Sequence, residues 1–398
     1  MSDTTWSGHR ALVIGGSIGG LTTALLLRRL GFDVDVYERT PTDLDGRGGG
    51  IVLQPDTLRW FAECSTQHPE TVSTRTHFVQ YLGADNTVVH REDAPWSYTS
   101  WGTFYRALLT DFGTEHYHLG EYAAGFDQDA DAVTVRFASG RVDTAELVVF
   151  ADGIGSPSRR RIAPDARMDY SGYVGWRGTV PEREVSAETF ELLHDSISYS
   201  VAPHTHINVY PIPAPGGGLA VGERLLNYVW YRNVPEGHQL DELMTDKRGF
   251  VAGVSLHPGQ VQDRFVDEMR SAATELLAPA AAEVVLRTEQ PYLQAVYDVG
   301  VSQMTLGRVA LVGDAASAAR PHAAAGTAKA AANAWALHDA LSDSADIAEA
   351  LAKWEPGQLE LGQRLLRRVK EMGTRSQVDC TWVPGDPDNR FGLYGPGH

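Results

Sequence analysis

The sequence predicts an α/β protein: a doubly wound domain on a parallel sheet, interrupted by an inserted antiparallel-sheet domain and closed by a C-terminal helix. Three observations carry this reading. Residues 11–39 pass from a short apolar run through a cluster of glycines into a helical pattern and out into a second apolar run, a βαβ signature. Residues 172–232 alternate Val, Ile, Tyr and Trp with polar residues between Pro and Gly turns, as antiparallel strands do. At residues 308–341 an apolar strand and an Ala-rich helical run restore the α/β pattern.

Length and composition agree with two domains. The chain has 398 residues, beyond the roughly 250–300 at which one core stops growing. A hydrophobic share of 43% with 21% charged residues excludes intrinsic disorder, collagen and coiled coil. The expected division is a discontinuous nucleotide-type domain at 1–75, 98–170 and 285–345, a sheet domain at 76–97 and 171–284, and a helix with tail at 346–398.

Taken in order, residues 11–14 are too few for a helix and read as a strand, followed by helical spacing over 21–30. Gly31 stands where a helix C-cap belongs, and Val34, Val36 and Tyr37 continue as a strand ending at Glu38. Further on, Val133, Val135 and Phe137 alternate before a Ser139-Gly140 turn, and residues 147–150 are wholly apolar, a strand buried on both faces. Strands are expected at 173–180, 196–201, 206–212 and 225–231. The last helix is expected over 356–372 with Pro356 in its first turn, and the Pro- and Gly-rich residues 382–398 as an extended tail.

Charge and cysteine content narrow the partners. With 34 Lys+Arg against 51 Asp+Glu, the net charge is −17, and the densest basic run is Arg159-Arg160-Arg161, so nucleic acid is not an expected partner. Cys64 and Cys380 have no CxxC spacing, which removes a disulfide framework and a thiolate zinc site and points to a reducing compartment. The first ten residues lack an apolar h-region and no run of about 18 apolar residues occurs, so a soluble cytoplasmic protein without a membrane partner is expected.

The chemistry begins at Gly15-Gly16-Ser17-Ile18-Gly19-Gly20. A dinucleotide site needs a tight turn after the first strand, close backbone approach to a diphosphate, and a helix N-terminus facing it. This run meets those needs, with Ser17 in place of the middle glycine of GxGxxG. Glu38 follows Gly15 by 23 residues, at the end of the second strand, where a carboxylate reaches ribose hydroxyls. The same letters contain GxSxG, the nucleophile elbow of α/β-hydrolases, but an elbow needs earlier strands beside it and leaves Glu38 without a role. Two more strings follow apolar strands: Asp152-Gly153 with Arg159 downstream, and Gly313-Asp314 with Pro321 and Gly326 downstream.

With these three strings in this order, the chain resembles the class A flavoprotein aromatic hydroxylases, which share the fold of para-hydroxybenzoate hydroxylase. The resemblance covers nearly the whole length. It implies a Rossmann-like FAD-binding domain in which Gly15, Gly16, Ser17, Ile18, Gly19, Gly20 and Glu38 hold the ADP part, with Arg39 beside the adenosine. It further implies that Arg106 meets the diphosphate region, that Asp152 and Gly153 serve FAD and pyridine-nucleotide handling, and that Asp314 bonds the ribityl chain. By the same resemblance Pro321 would border the flavin, and Gly326 and Thr327 would open a helix whose positive end stabilises the reduced anion. The chain departs from many relatives in having Ser317 for a histidine, and Lys329 stands in a loop that diverges from PxxGQGxN.

The resemblance is strongest to members that hydroxylate a dihydroxypyridine, with bound FAD, NADH as transient co-substrate and O2 acting through a flavin C4a-hydroperoxide. Other phenolic or hydroxynicotinate-type rings, and a non-catalytic binding protein on the same fold, remain as alternatives; the WxWxIP string of flavin halogenases is absent. Ring attack is faster when a ring hydroxyl is ionised, so a base should touch the small aromatic substrate. Relatives acting on pyridine rings carry a His and a Tyr four apart on one strand, which selects His206 as base and Tyr210 as orienting hydroxyl. By period two His204 shares their face, and Val52, Gln54 and Pro321 complete the expected pocket. His204-Thr205-His206 lacks a third ligand, so no metal is expected. Gly216-Gly217-Gly218 reads as a hairpin turn, and a homodimer is expected from the resemblance and from base rates.

Overall fold

The computed structural model describes residues 6–44 and 49–398; residues 1–5 and 45–48, which fall in the first expected domain segment, lie outside the described residues. A six-stranded sheet runs in the order Thr305–Leu306, Val309–Leu311, Leu147–Phe150, Arg10–Ile14, Asp33–Glu38, Tyr117–Leu119. Its pairings are parallel except at the Thr305–Leu306 edge. Leu147–Phe150 is buried at every position, as its unbroken apolar run requires. Helix Ile18–Arg29 packs on this sheet and ends at Leu30, after which Gly31 takes φ 100 to turn the chain.

The second sheet has nine strands, in the order Ser255–Leu256, Tyr292–Gly300, Arg167–Pro181, Leu225–Asn233, Thr205–Ile212, Ser196–Ala202, Thr74–Leu82, Val88–Ser100, Gly50–Leu53. All pairings are antiparallel except that of Ser196–Ala202 with Thr74–Leu82. Two strands, Gly50–Leu53 and Tyr292–Gly300, thus come into this sheet from segments otherwise continuous with the parallel one. The Gly216–Gly218 run is the connection between Thr205–Ile212 and Leu225–Asn233, with φ 87 at Gly216 and 92 at Gly217. Val133–Phe137 and Val142–Ala145 pair around the Ser139-Gly140 turn in a separate three-stranded sheet with Ala123–Gln128.

A buried ion pair fixes the far end of the large sheet. Arg224 Nη2 lies 2.7 Å from Glu182 Oε1, with side chains 3% and 0% exposed, and Gly222 N donates to Glu182 Oε2 at 2.7 Å. Removing one partner strands a charge away from water, so Arg224→Met should cost about 3–5 kcal/mol. Urea denaturation checks this, and a loss under about 1 kcal/mol would mean that water reaches the pair.

The C-terminal region differs from expectation in two ways. The last helix is Ile347–Gln377, so it starts nine residues before Pro356, which lies inside it. Asp346 caps it by accepting from Glu349 N at 2.9 Å, and the missing Pro356 N–H is tolerated because the buried face from Leu351 and Trp354 to Val369 and Met372 holds the helix in place. The tail is not a free extended strand: Trp382, Phe391 and Leu393 are buried in a cluster with Tyr199, Tyr210 and Leu365. Among the described residues no helix is long and apolar enough to cross a membrane.

Candidate active site

The glycine turn lies where the first parallel strand stops. Gly15 has φ 110, and a Cβ there would stand 2.3 Å from the Ala151 carbonyl oxygen, so only glycine lets the turn pass under strand Leu147–Phe150. At Gly20 a Cβ would meet Gly15 O at 1.8 Å, so helix and turn also touch through glycine. Glu38 is buried and its carboxylate accepts from Gly16 N and Thr40 N, each at 2.9 Å. The acid at the end of the second strand is thereby aimed back at the turn.

Two cavities meet here and share Ser17, Trp101, Ala151 and Gly153 as walls. One, of about 250 Å³, is lined by Gly15, Glu38, Arg39 and Asp152 among others. The other, of about 400 Å³, is lined by Ile18, Gly19, Gly50, Asp314, Gly326 and Thr327 among others. The trough has features that suit an elongated anionic dinucleotide. Helices Ile18–Arg29 and Gly326–Ser342 both begin at it, with no side-chain cap and no acid in the first turn, so their free N–H groups and positive ends are available. Asp152 Oδ1 is buried with no hydrogen-bond partner among the described residues, and burial pushes its carboxyl above the usual range. A Cβ at Gly153 or Gly326 would meet no atom within 4 Å, so both face open space.

The Gly313–Ala315 turn is held from three sides. Asn333 Oδ1 accepts from Gly313 N at 3.0 Å, Lys329 Nζ donates to Gly313 O at 3.2 Å, and Arg159 Nη1 donates to Ala315 O at 3.1 Å. Pro321 opens a short 3-10 turn, Ala324 follows at φ 52, and the helix starts at Gly326. Arg106 is half-buried on helix Trp101–Phe112, five residues past the tryptophan that walls both cavities.

A second group of residues is buried around His206. His206 is 1% exposed and its ring lies 5.0 Å from Trp382, 4.7 Å from Tyr231 and 5.5 Å from His322. Burial holds the His206 imidazole down at about 3, and burial chiefly, then the charges of His206 and Arg320, holds His322 well below its ordinary value. His322 Nε2 is 2.7 Å from Tyr173 OH, to which Arg320 Nη1 donates at 3.4 Å, while Arg320 is itself paired with Asp298 at 2.8 Å. Gln377 Nε2 stands 3.1 Å from His206 Nδ1, and its Oε1 has no partner among the described residues. The carboxamide can serve either imidazole tautomer: the nitrogen donates to Nδ1, or, turned over, the oxygen accepts from Nδ1–H and leaves Nε2 free as a base.

Tyr210 is on the same strand, Thr205–Ile212, with its ring 4.8 Å from that of Tyr98; burial pushes its hydroxyl well above the ordinary value. It also supports the trough, because a Cβ on Gly50 would stand 2.5 Å from Tyr210 Cε2 and 2.9 Å from Asn227 Nδ2. Gly50→Ala is therefore expected to push the Tyr210 ring aside and cut hydroxylation several-fold with flavin retained. Unchanged turnover would mean that the strand yields instead.

The remaining expected pocket residues are placed differently. His204 is outside the strand, which begins at Thr205, and with φ 61 it points away from the period-two face: exposed, it lies beside Cys380 Sγ and Gln377 O at 3.3 and 3.2 Å. The side-chain amide of Gln54 is spent on backbone, donating to Ala323 O and Ala324 O at 3.2 and 2.9 Å, and Val52 packs in the cluster with Tyr98 and Tyr210. Sequence reasoning missed His322, Tyr173, Tyr231, Gln377 and Trp382. Of these only His322 carried a signal, as the neighbour of Pro321 in the motif string.

Residues 13–50 match the NAD(P)-binding Rossmann-like domain family and residues 170–298 the FAD binding domain-like family. Over 394 residues, 99% of this chain and 97% of the relative, the sequence is 39% identical to the 2,6-dihydroxypyridine 3-monooxygenase of Paenarthrobacter nicotinovorans. The chain belongs to the FAD-dependent aromatic hydroxylases. The structure of this hydroxylase superposes on that of 2,6-dihydroxypyridine-3-hydroxylase from Arthrobacter nicotinovorans with a TM-score of 0.90 and 37% identity, covering 97% of each chain. It shares its fold with Klebsiella pneumoniae HpxO complexed with FAD and uric acid, at a TM-score of 0.77 and 20% identity over 95% of this chain and 91% of that one. The hydroxylase is thus an FAD-dependent monooxygenase that draws on a reduced nicotinamide nucleotide and O2, and neither a hydrolase nor a non-catalytic binding protein.

Proposed function

We propose that this hydroxylase converts 2,6-dihydroxypyridine to 2,3,6-trihydroxypyridine. The observation that carries the substrate is the 39% identity across 99% of the chain with a relative of that activity. The buried His206 and His322 pair, neutral imidazoles beside aromatic walls, suits a flat ring with ionisable hydroxyls.

Bound FAD supplies hydride acceptance from NADH and the activation of O2. Around it, the turn from Gly15 to Gly20 presents helix N–H groups to the diphosphate, and Glu38 and Arg39 take the adenosine end. Asp152, Gly153 and Arg106 serve the middle; Asp314, Pro321, Gly326 and Thr327 serve the flavin end. His206 accepts the proton of a ring hydroxyl, raising electron density at the neighbouring ring carbon, and Gln377 selects the tautomer that can do so. The resulting anion beside the imidazolium offsets the cost of charging a buried ring. Tyr210 orients the substrate, and Trp382 and Tyr231 keep water from the reacting edge. We further assign a homodimer acting in the cytoplasm, where NADH is supplied; light scattering tests the first.

The experiment is a visible spectrum of the purified protein, followed by NADH oxidation with and without 2,6-dihydroxypyridine and product analysis. A flavin spectrum with ring-stimulated NADH loss and a trihydroxypyridine product is expected. Stimulation by 6-hydroxynicotinate but not by the dihydroxypyridine would overturn the substrate and keep the enzyme class.

A further inference from the structure

Lys329 has no part in the chemistry described so far, and two local rules run against it. It is 1% exposed, and it occupies the fourth position of helix Gly326–Ser342, where the positive end of the helix disfavours a cation. Its ammonium makes two contacts, to Gly313 O and to Asp314 Oδ1, each 3.2 Å. The carboxylate it meets is 53% exposed and forms a wall of the larger cavity, beside Gly326 and Thr327. A buried cation with only a half-solvated counter-charge is costly to keep for stability alone. Its position, under the turn that faces the cofactor trough, gives the cost a use.

We propose that Lys329 is an electrostatic positioning residue of the flavin site: it holds the Gly313–Asp314 turn and offsets the Asp314 charge, so that reduction of the bound flavin to its anion is favoured. The physical basis is simple. Reduction adds negative charge to a site that already contains the Asp314 carboxylate, and in a poorly solvated setting a fixed positive charge nearby lowers that cost without rearrangement. The helix N-terminus acts in the same direction, so the ammonium adds to it.

The test measures the midpoint potential of the flavin, and the FAD dissociation constant, in the holoenzyme and in three variants at FAD concentrations that saturate each. Lys329→Met should move the two-electron reduction equilibrium at least tenfold toward the oxidised form, about 30 mV more negative, and weaken FAD about tenfold. Lys329→Arg, which keeps the charge, should stay within about threefold of the parent in both. Asp314→Asn leaves the ammonium unopposed and should move the potential the other way, to more positive values; being half-exposed, it reports even where Lys329→Met does not fold. Equal shifts in Lys329→Met and Lys329→Arg would reduce Lys329 to packing and overturn the proposal. So would an unchanged potential in Lys329→Met, or an unchanged or more negative one in Asp314→Asn.

Discussion

His206→Ala is expected to lower kcat for hydroxylation by about 10²–10⁴-fold while the flavin spectrum and FAD affinity stay as they are. The substitution removes the group proposed to take the ring proton and none of the residues lining the trough, so NADH oxidation should continue and its electrons leave as hydrogen peroxide. Single-turnover oxidation with peroxide and product measured together checks this. Full coupling in the variant would exclude His206 as base and turn attention to His322. The same histidine predicts a pH effect on stability. Held at about 3 in the folded protein, against roughly 6.5 when unfolded, it binds a proton only in the unfolded chain between those values. Stability from this group is therefore complete above pH 6.5 and falls as pH drops toward 3, by up to about 1.4 kcal/mol per unit. His206→Phe should flatten that slope in urea midpoints compared at pH 7 and pH 5.

Gly20→Ala is expected to give a colourless protein, with FAD affinity lowered at least about 100-fold. The added carbon would fall 1.8 Å from Gly15 O, so helix Ile18–Arg29 or the turn must move, and either shift carries the N–H groups off the diphosphate. Gly15→Ala should act alike through Ala151 O, with the further strain of φ 110. Flavin fluorescence titration of refolded protein reads the loss, and circular dichroism separates it from unfolding. A yellow Gly20→Ala protein with parental affinity would mean that the trough is not where FAD binds.

What could be read from the letters divides by the distance over which the information is carried. Gly15, Glu38 and Gly31 were legible because a βαβ unit is local: turn, helix length and the next strand's end all follow within about thirty residues. Strands 196–202 and 205–212 were legible for the same reason, their alternation being a property of neighbours. Pro356 misled because a proline usually marks a helix start, whereas here Asp346 caps the helix earlier and tertiary burial of Trp354 and Leu361 overrides the local cost. His204 misled because period two holds only inside a strand, and one left-handed residue ended it. Of the cluster around His206 only His322 carried a signal, as the neighbour of Pro321; Tyr173, Tyr231, Gln377 and Trp382 share no periodicity or motif with it.

The parallel sheet joins Ala11 to Leu147 and Val148 to Val309. Each contact closes more than a hundred residues of chain, and that entropy is lost before either edge of the trough exists. Folding should accordingly be slow, and the apoprotein the weaker species, since FAD held in the proposed trough would stabilise only the closed state. Its abundance in a cell would then follow flavin supply: chains made without FAD spend longer open, and proteases remove them before they can turn over a substrate.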